Sequence, residues 1–249
     1  KTSRSVMLSP RVIPTLLLKD MGLVKGVGFK DHKYVGDPMN AVRIFNSKNA
    51  DELFLLDITA SSRGASLDPE FVQRVADECY MPFGVGGGIS TVDQIGRLVR
   101  SGAEKVSLNT AALARPDLIR EAADSFGSQC VVVSIDVGRD LFGRTKVFSH
   151  SGSRKTSWDP VDWARRAAEL GAGEILLTSI AHEGKGDGYD LELVRSVAAA
   201  VPVPVISSGG AGRVEHFAAA FEAGATAAAA GSMFVFKGKL RSVLIQYFK

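Results

Sequence analysis

Two apolar runs in this chain end on an aspartate. "ELFLLDI" carries Asp57 behind two leucines, and "CVVVSIDV" carries Asp136 after valines, a serine and an isoleucine. A third run, "EILLTSI", ends comparably on Thr178. A carboxyl at the end of an otherwise apolar strand stands over whatever cavity the strand ends enclose, where it can act as a general acid or base. Asp136 is assigned that role. Asp57 is a further candidate, with loop ordering as its alternative. Glycines supply the second chemical signal. "VGGGI" (Gly86, Gly87, Gly88) and "SSGGAG" (Gly209, Gly210, Gly212) follow two separate apolar runs. Loops without side chains can turn backbone N–H groups toward an anion, helped by the N-terminus of the next helix. Asn109, Thr110 and Ser232 could add donors from neighbouring strand ends. The alternative is a pair of tight turns that need positive φ. Two such loops at equivalent places, each beside a hydroxyl-bearing strand end, favour phosphate binding.

Lys25 follows "GLV" in what reads as a long loop behind the first strand, where a mobile lysine could close over a phosphate. The histidines His32, His150, His182 and His216 have no metal-ligand spacing and read as loop or surface residues. His182 is kept as a further candidate because it follows the sixth strand. No metal and no cofactor is implied. Arg11, Glu52, Lys105 and Glu174 stand at the beginnings of strands one, two, four and six, with alternating sign. Charges buried there are costly unless they pair with one another. A salt-bridged ring plugging the floor of a barrel satisfies that, and a plug that opens is also a gate.

The elements that must position these residues follow from periodicity. Strand-length apolar runs cover 11–18, 52–58, 82–86, 104–108, 130–137, 174–178, 203–207 and 226–231, several of them continuous as buried parallel strands are. Amphipathic segments lie between them. "DPEFVQRVADEC" and "DPVDWARRAAELG" open on Asp-Pro, and "TVDQIGRLVRSG" runs from a Thr cap to a Gly stop. Further helices are expected at 38–47, 114–126, 190–200, 214–224 and 238–247. Eight strand–helix pairs close most simply into a (β/α)8 barrel, whose sites lie at the strand C-termini. An open doubly wound sheet is the rival, but no GxGxxG opens the first helix. "GRTKVFSHSGSRKT" (143–156) reads as a hairpin inserted after strand five, serving as a lid or a partner contact. "SGAEKVSLNTA" is echoed by "AGATAAAAGSM" about half a chain later, so two fused half-barrels are expected, with equivalent sites across one mouth.

Composition sets the outer limits. The 249 residues are 45% hydrophobic and 23% charged with a formal charge of +3, which suits a globular protein and offers no nucleic-acid arm. No apolar stretch reaches bilayer length, and the polar N-terminus lacks a secretory core, so a cytoplasmic protein is expected. Cys79 and Cys130 form no CxxC pattern and read as reduced core thiols. With Met7 just inside the start, residues 1–6 read as an extension and 7–249 as one barrel.

At this point the motifs resemble a known family. "RVIP", "LVKGVGF", "ELFLLDITAS", "VGGGI", "EKVSLNTAA", "FGSQCVVVSID", "GAGEILLTSI", "GYDLELV", "SSGGAG" and "GSMFVF" are similar, along almost the whole chain, to the cyclase subunit (HisF) of imidazole glycerol phosphate synthase. The resemblance implies a half-barrel duplication binding a substrate with two phosphates. It also implies ammonia delivered from a HisH-like glutaminase docked at the barrel floor. It implies that Arg11, Glu52, Lys105 and Glu174 form the ammonia gate. It implies phosphate contacts from Gly88, Asn109 and Thr110 in one half, and from Gly184, Gly210 and Ser232 in the other; Gly87, Thr178, Gly209 and Gly231, at the same strand ends and loops, join them as expected substrate or phosphate contacts. Lys25 matches the family's loop lysine and Asp136 one of its two catalytic aspartates.

Two departures bear on the reaction. The family's "IPCLDV" on strand one is "IPTLLL" here, so Leu17 holds the other catalytic position and Thr15 replaces a cysteine. "DRDG" after strand six becomes "AHEG", leaving His182 or Glu183 to substitute, or the reaction to change. With "GLVKGVGFKDHKYVGDPMNAVRIFN", the chain resembles HisF-like paralogues that accompany sugar amidotransferases and install acetamidino groups on nucleotide-linked sugars of surface polysaccharide. That function is the leading expectation. The alternatives are a true cyclase, making imidazole glycerol phosphate from ammonia and the phosphoribulosyl-formimino intermediate, and a non-catalytic ammonia-channelling scaffold.

Overall fold

The structure is a computed structural model describing residues 10–238 and 241–248, except the side chains of residues 61 and 62. The segment read as an extension, 1–6, lies outside the described residues. Eight parallel strands form the barrel: β1 (Arg11–Lys19), β2 (Leu53–Asp57), β3 (Phe83–Gly86), β4 (Lys105–Leu108), β5 (Val131–Arg139), β6 (Glu174–Ser179), β7 (Val205–Ser208) and β8 (Ala227–Ala230). Each pairs in parallel with the next, and β8 returns to β1 with Arg11 opposite Ala227 and Pro14 opposite Ala230. The eight barrel strands therefore close on themselves, which excludes the doubly wound rival.

Seven long helices cover the outside: α1 (Pro38–Ser47), α2 (Pro69–Glu78), α3 (Val92–Arg100), α4 (Asp117–Phe126), α5 (Pro160–Glu169), α6 (Leu191–Ala198) and α7 (Val214–Glu222). Their starts are written in the sequence. Asp37, Asp68 and Asp159 accept backbone N–H bonds ahead of a proline, and Thr91 and Gln94 cap each other reciprocally. The helix expected from 114 begins later, because Pro116 separates a short turn at Thr110–Ala114 from α4.

The described residues of the expected eighth helix, 238–247, take other structure, and 239 and 240 lie outside the described residues. Phe236–Lys237 pairs with Ser242–Val243, and the following residues run extended. Aromatic anchoring overrides helix propensity there. Tyr247 and Phe248 pack on Phe234, with ring centres 5.2 and 5.6 Å apart, and the Tyr247 hydroxyl donates to the Val12 carbonyl at 3.0 Å. Leu244 and Gln246 N–H groups bond Val235 and Phe234 carbonyls, bonds that a helix would break.

Two hairpins extend the barrel at equivalent places. Gly22–Val27 and Lys30–Gly36 add antiparallel to the end of β1, and Thr145–Ser149 with Arg154–Lys155 add to the end of β5. The second is the insertion expected after strand five. The first was expected as a loop.

Side chains alternate along each strand, and the inward positions fall into three layers. Charged residues occupy the floor. A separate apolar cluster of Ile13, Phe54, Val132, Leu176, Ile206, Ala227 and Ala229 fills the middle. Polar residues including Thr15, Ser107, Ser134, Asp136, Thr178 and Ser208 line the top. The larger core lies outside the barrel, between strands and helices, around side chains such as Phe45, Phe71 and Trp163.

Candidate active site

The strand C-termini and their loops enclose a cavity of about 680 Å³. Asp136 comes from the inward face of β5 and is 9% exposed. Burial, reinforced by the charge of Glu183, pushes its carboxyl up to about 7. The Asn109 amide donates to it at 3.2 Å and to the Ser134 carbonyl at 3.1 Å, fixing its orientation.

Lys25 is 3% exposed and sits on a hairpin strand, correcting the expectation of a mobile loop lysine. Its sequence neighbours Leu23 and Val24 are buried against β1, so the segment is held by its apolar residues. The ammonium donates to the Thr15 carbonyl at 2.6 Å and lies where a side chain on Gly231 would stand. Burial lowers its pKa to about 8, with Glu183 acting in the opposite direction.

Glu183 is half-buried and lines the cavity. Burial raises its pKa and Lys25 opposes the rise. His182, its neighbour, is not on the wall; its Nδ1 lies 3.1 Å from Asp187. Asp57 touches the cavity, but one oxygen accepts from the Thr59 N–H, the Thr59 hydroxyl and the Ala60 N–H at 2.8–3.0 Å. Its other oxygen pairs with Arg63 at 2.5 Å. Those bonds order the loop after β2.

The two glycine loops have matching geometry. Gly87 packs on the Asp57 carbonyl and Gly209 on the Ser179 carbonyl, all four glycines Gly87, Gly88, Gly209 and Gly210 having positive φ. Their exposure differs. Gly87, Gly88, Asn109 and Thr110 line the cavity together with Thr178 and Gly231. Gly184, Gly209 and Gly210 are buried and, like Ser232, stand off its wall. The buried Ser232 hydroxyl has no hydrogen-bond partner among the described residues.

Sequence reading missed several wall residues. His32 and His150, read as loop or surface residues, line the cavity with Lys19 and Arg154, because the two hairpins fold over the mouth. The His150 backbone N–H donates to the Thr110 hydroxyl at 2.9 Å. Ser107, Ser134 and Ser208 carried a usable signal in their spacing: each lies two residues from another inward residue. Among the described residues, no three His, Cys, Asp or Glu side chains are grouped to hold a metal.

On the floor, the four charged residues form one closed ring. Arg11 bonds Glu52 at 2.5 Å and Glu174 at 2.6 Å, and Lys105 bonds the same two carboxylates at 2.7 and 2.8 Å. Each charge has two neighbours of opposite sign, which offsets the cost of desolvating them. The ring and the cavity share the barrel axis, separated by the apolar layer.

The architecture is a closed (β/α)8 barrel of two matching halves, with an acid-bearing cavity at one end and a charged plug at the other. The chain matches the histidine biosynthesis protein family over residues 11–241 and belongs to it. Within that family its relatives are HisF subunits of imidazole glycerol phosphate synthase. The proteins of that name from Geobacillus kaustophilus and Streptomyces coelicolor are each 50% identical, covering 93% and 94% of this chain and 92% and 93% of their own lengths. A Pseudomonas aeruginosa chain with the provisional designation imidazole glycerol phosphate synthase subunit hisF2 is 51% identical over 97% of this chain and 96% of its own. Among the described residues, no helix is long and apolar enough to cross a membrane.

Proposed function

We propose that the chain is the ammonia-using synthase subunit of a glutamine-dependent pair, with the cyclase reaction of imidazole glycerol phosphate synthase as its activity. The observation that carries this reading is the coaxial arrangement of a closed charge ring, an apolar layer and a cavity bearing Asp136. A glutaminase docked below releases ammonia against the ring. Displacement of Lys105 or Arg11 opens a path, and the apolar layer admits neutral ammonia while opposing ammonium, whose charge is costly to desolvate. At the top, Asp136 accepts a proton near neutral pH. Gly88, Asn109 and Thr110 hold a phosphate end of the substrate, in a cavity that the cationic Lys19 and Arg154 also line. The names carried by the relatives support this reaction.

One observation favours a second reading. Leu17 lines the cavity, where it can neither give nor take a proton. A chain that keeps ammonia delivery without an acid on β1 also suits acetamidino formation on a nucleotide-linked sugar beside a sugar amidotransferase. Intact Asp136, Lys25 and glycine loops argue against a pure scaffold. The test supplies the aminoimidazole carboxamide substrate with excess ammonium salt and follows absorbance. Turnover supports the cyclase. No turnover by this chain, with turnover restored by Leu17→Asp, supports the second reading.

A further inference from the structure

We propose that Glu183 is the second carboxyl of the reaction, exchanging protons with the bound substrate alongside Asp136. The inference rests on the reading above, that ammonia adds to a substrate in this cavity. Three carboxyls border the cavity: Asp57, Asp136 and Glu183. Asp57 is committed to the loop after β2 by three N–H or O–H bonds and an ion pair. That leaves Asp136, at the end of β5, and Glu183, in the turn leaving the adjacent β6.

The turn is held as a catalytic element must be. The His182 and Glu183 N–H groups bond the Ser179 carbonyl at 3.2 and 3.1 Å. From the hairpin, the Gly28 N–H donates to the Glu183 carbonyl at 2.9 Å, and Gly184 lies against the Gly26 carbonyl. Arg241 donates to the Gly184 carbonyl at 3.1 Å. The same hairpin carries Lys25, so the strand that clamps the turn also brings the ammonium that senses the Glu183 charge.

Addition of ammonia to an electrophilic carbon forms a C–N bond and leaves a surplus proton on nitrogen. Expulsion of a leaving oxygen or nitrogen breaks a bond and requires a proton. One carboxylate takes the first proton and one carboxylic acid supplies the second, so the pair ends with the protons it started with, exchanged between partners. Two neighbouring carboxyls in a poorly solvated site do not both ionise readily, which divides them into one acid and one base. The groups acting on this pair are Lys25 from the hairpin and the Tyr189 hydroxyl, which donates to the Ala229 carbonyl at 2.8 Å. His32 in turn feels the charges of both Lys25 and Lys19.

Two measurements on the full chain test this. The first needs no substrate: Asp136 is titrated by carboxyl carbon NMR, its signal identified by loss in Asp136→Asn. Glu183→Gln is expected to lower the Asp136 midpoint by roughly one unit, as a like charge is removed. An unmoved midpoint overturns the inference. The second is turnover with ammonium chloride and the aminoimidazole carboxamide substrate. Glu183→Gln is expected to lower kcat on the order of 10²–10⁴-fold, with KM little changed and one limb of the pH profile lost. Glu183→Asp, which keeps the carboxyl and guards against misfolding of the Gln variant, is expected to recover part of the rate. Retention of kcat within about threefold in Glu183→Gln overturns the inference. An inactive parent chain would remove the cyclase reading alone, and the titration would still decide whether Glu183 and Asp136 share protons.

Discussion

Replacing Lys105 with methionine keeps most of the side-chain volume and deletes one corner of the floor ring. Glu52 is 2% exposed and Glu174 8%, so neither carboxylate can turn to water for its lost partner. Removing one member of a buried ion pair costs about 3–5 kcal/mol. Arg11 still bonds both carboxylates, at 2.5 and 2.6 Å, and its own side chain is 27% exposed, which places the expected loss near the lower end, ~3 kcal/mol. For a chain of this size that corresponds to a fall in Tm of roughly 6–12 °C. Thermal unfolding by circular dichroism measures it. Adding Glu174→Gln to Lys105→Met removes the excess negative charge and leaves the Arg11–Glu52 pair, so the double variant should be no less stable than the single one. The exposed pair Arg97–Asp93 serves as control, and Arg97→Met should be nearly neutral. A Lys105→Met variant that melts with the parent, or two losses that simply add, would refute the ring as a mutually compensating unit.

Four further outcomes follow from the site and the packing around it. Asp136 has a folded pKa of about 7 against 3.8 unfolded, so the folded state binds the extra proton between those values and stability falls as pH rises through that window. Asp136→Asn should abolish ammonia-dependent turnover yet raise stability at pH 8 by on the order of a few kcal/mol, read as a higher Tm, the gap closing toward pH 4. Lys25, at about 8 against 10.5, has the opposite sign: stability lost to its buried charge returns as pH rises from 8 to 10.5, so Lys25→Met should stabilise most below pH 8, read by urea unfolding across pH. Gly88→Ala puts a Cβ into the Ala65 carbonyl at a φ of +66° and should cost more than about 1 kcal/mol, together with phosphate affinity measured by calorimetry. Tyr247→Phe removes the bond to the Val12 carbonyl and should cost about 1 kcal/mol in urea unfolding.

Much of the barrel was legible in the residues. The continuous apolar runs became the eight strands within a residue or two at most ends, since burial on both faces leaves them no other register. Asp-Pro and Thr-x-x-Gln marked the helix starts because capping is a local interaction. The 238–247 helix failed because two anchors that hold the segment extended, Phe45 and the Val12 carbonyl, belong to distant parts of the chain. His32 and His150 failed for a related reason: the first hairpin was read as a loop, and the second, read as a lid or a partner contact, gave no local sign that His150 would face the cavity.

The sequence alone determined which residues could carry charge or protons and at which end of each strand they lie, because a two-residue period and strand polarity are local properties. Only the tertiary structure decided which of them meet. It closed Arg11, Glu52, Lys105 and Glu174 into one ring and buried Lys25, carried on a hairpin strand, against the Thr15 carbonyl. It also turned Glu183 rather than His182 into the cavity. These outcomes depend on barrel closure and on hairpins crossing between elements far apart in the chain, and desolvation there sets the charges on which the chemistry rests.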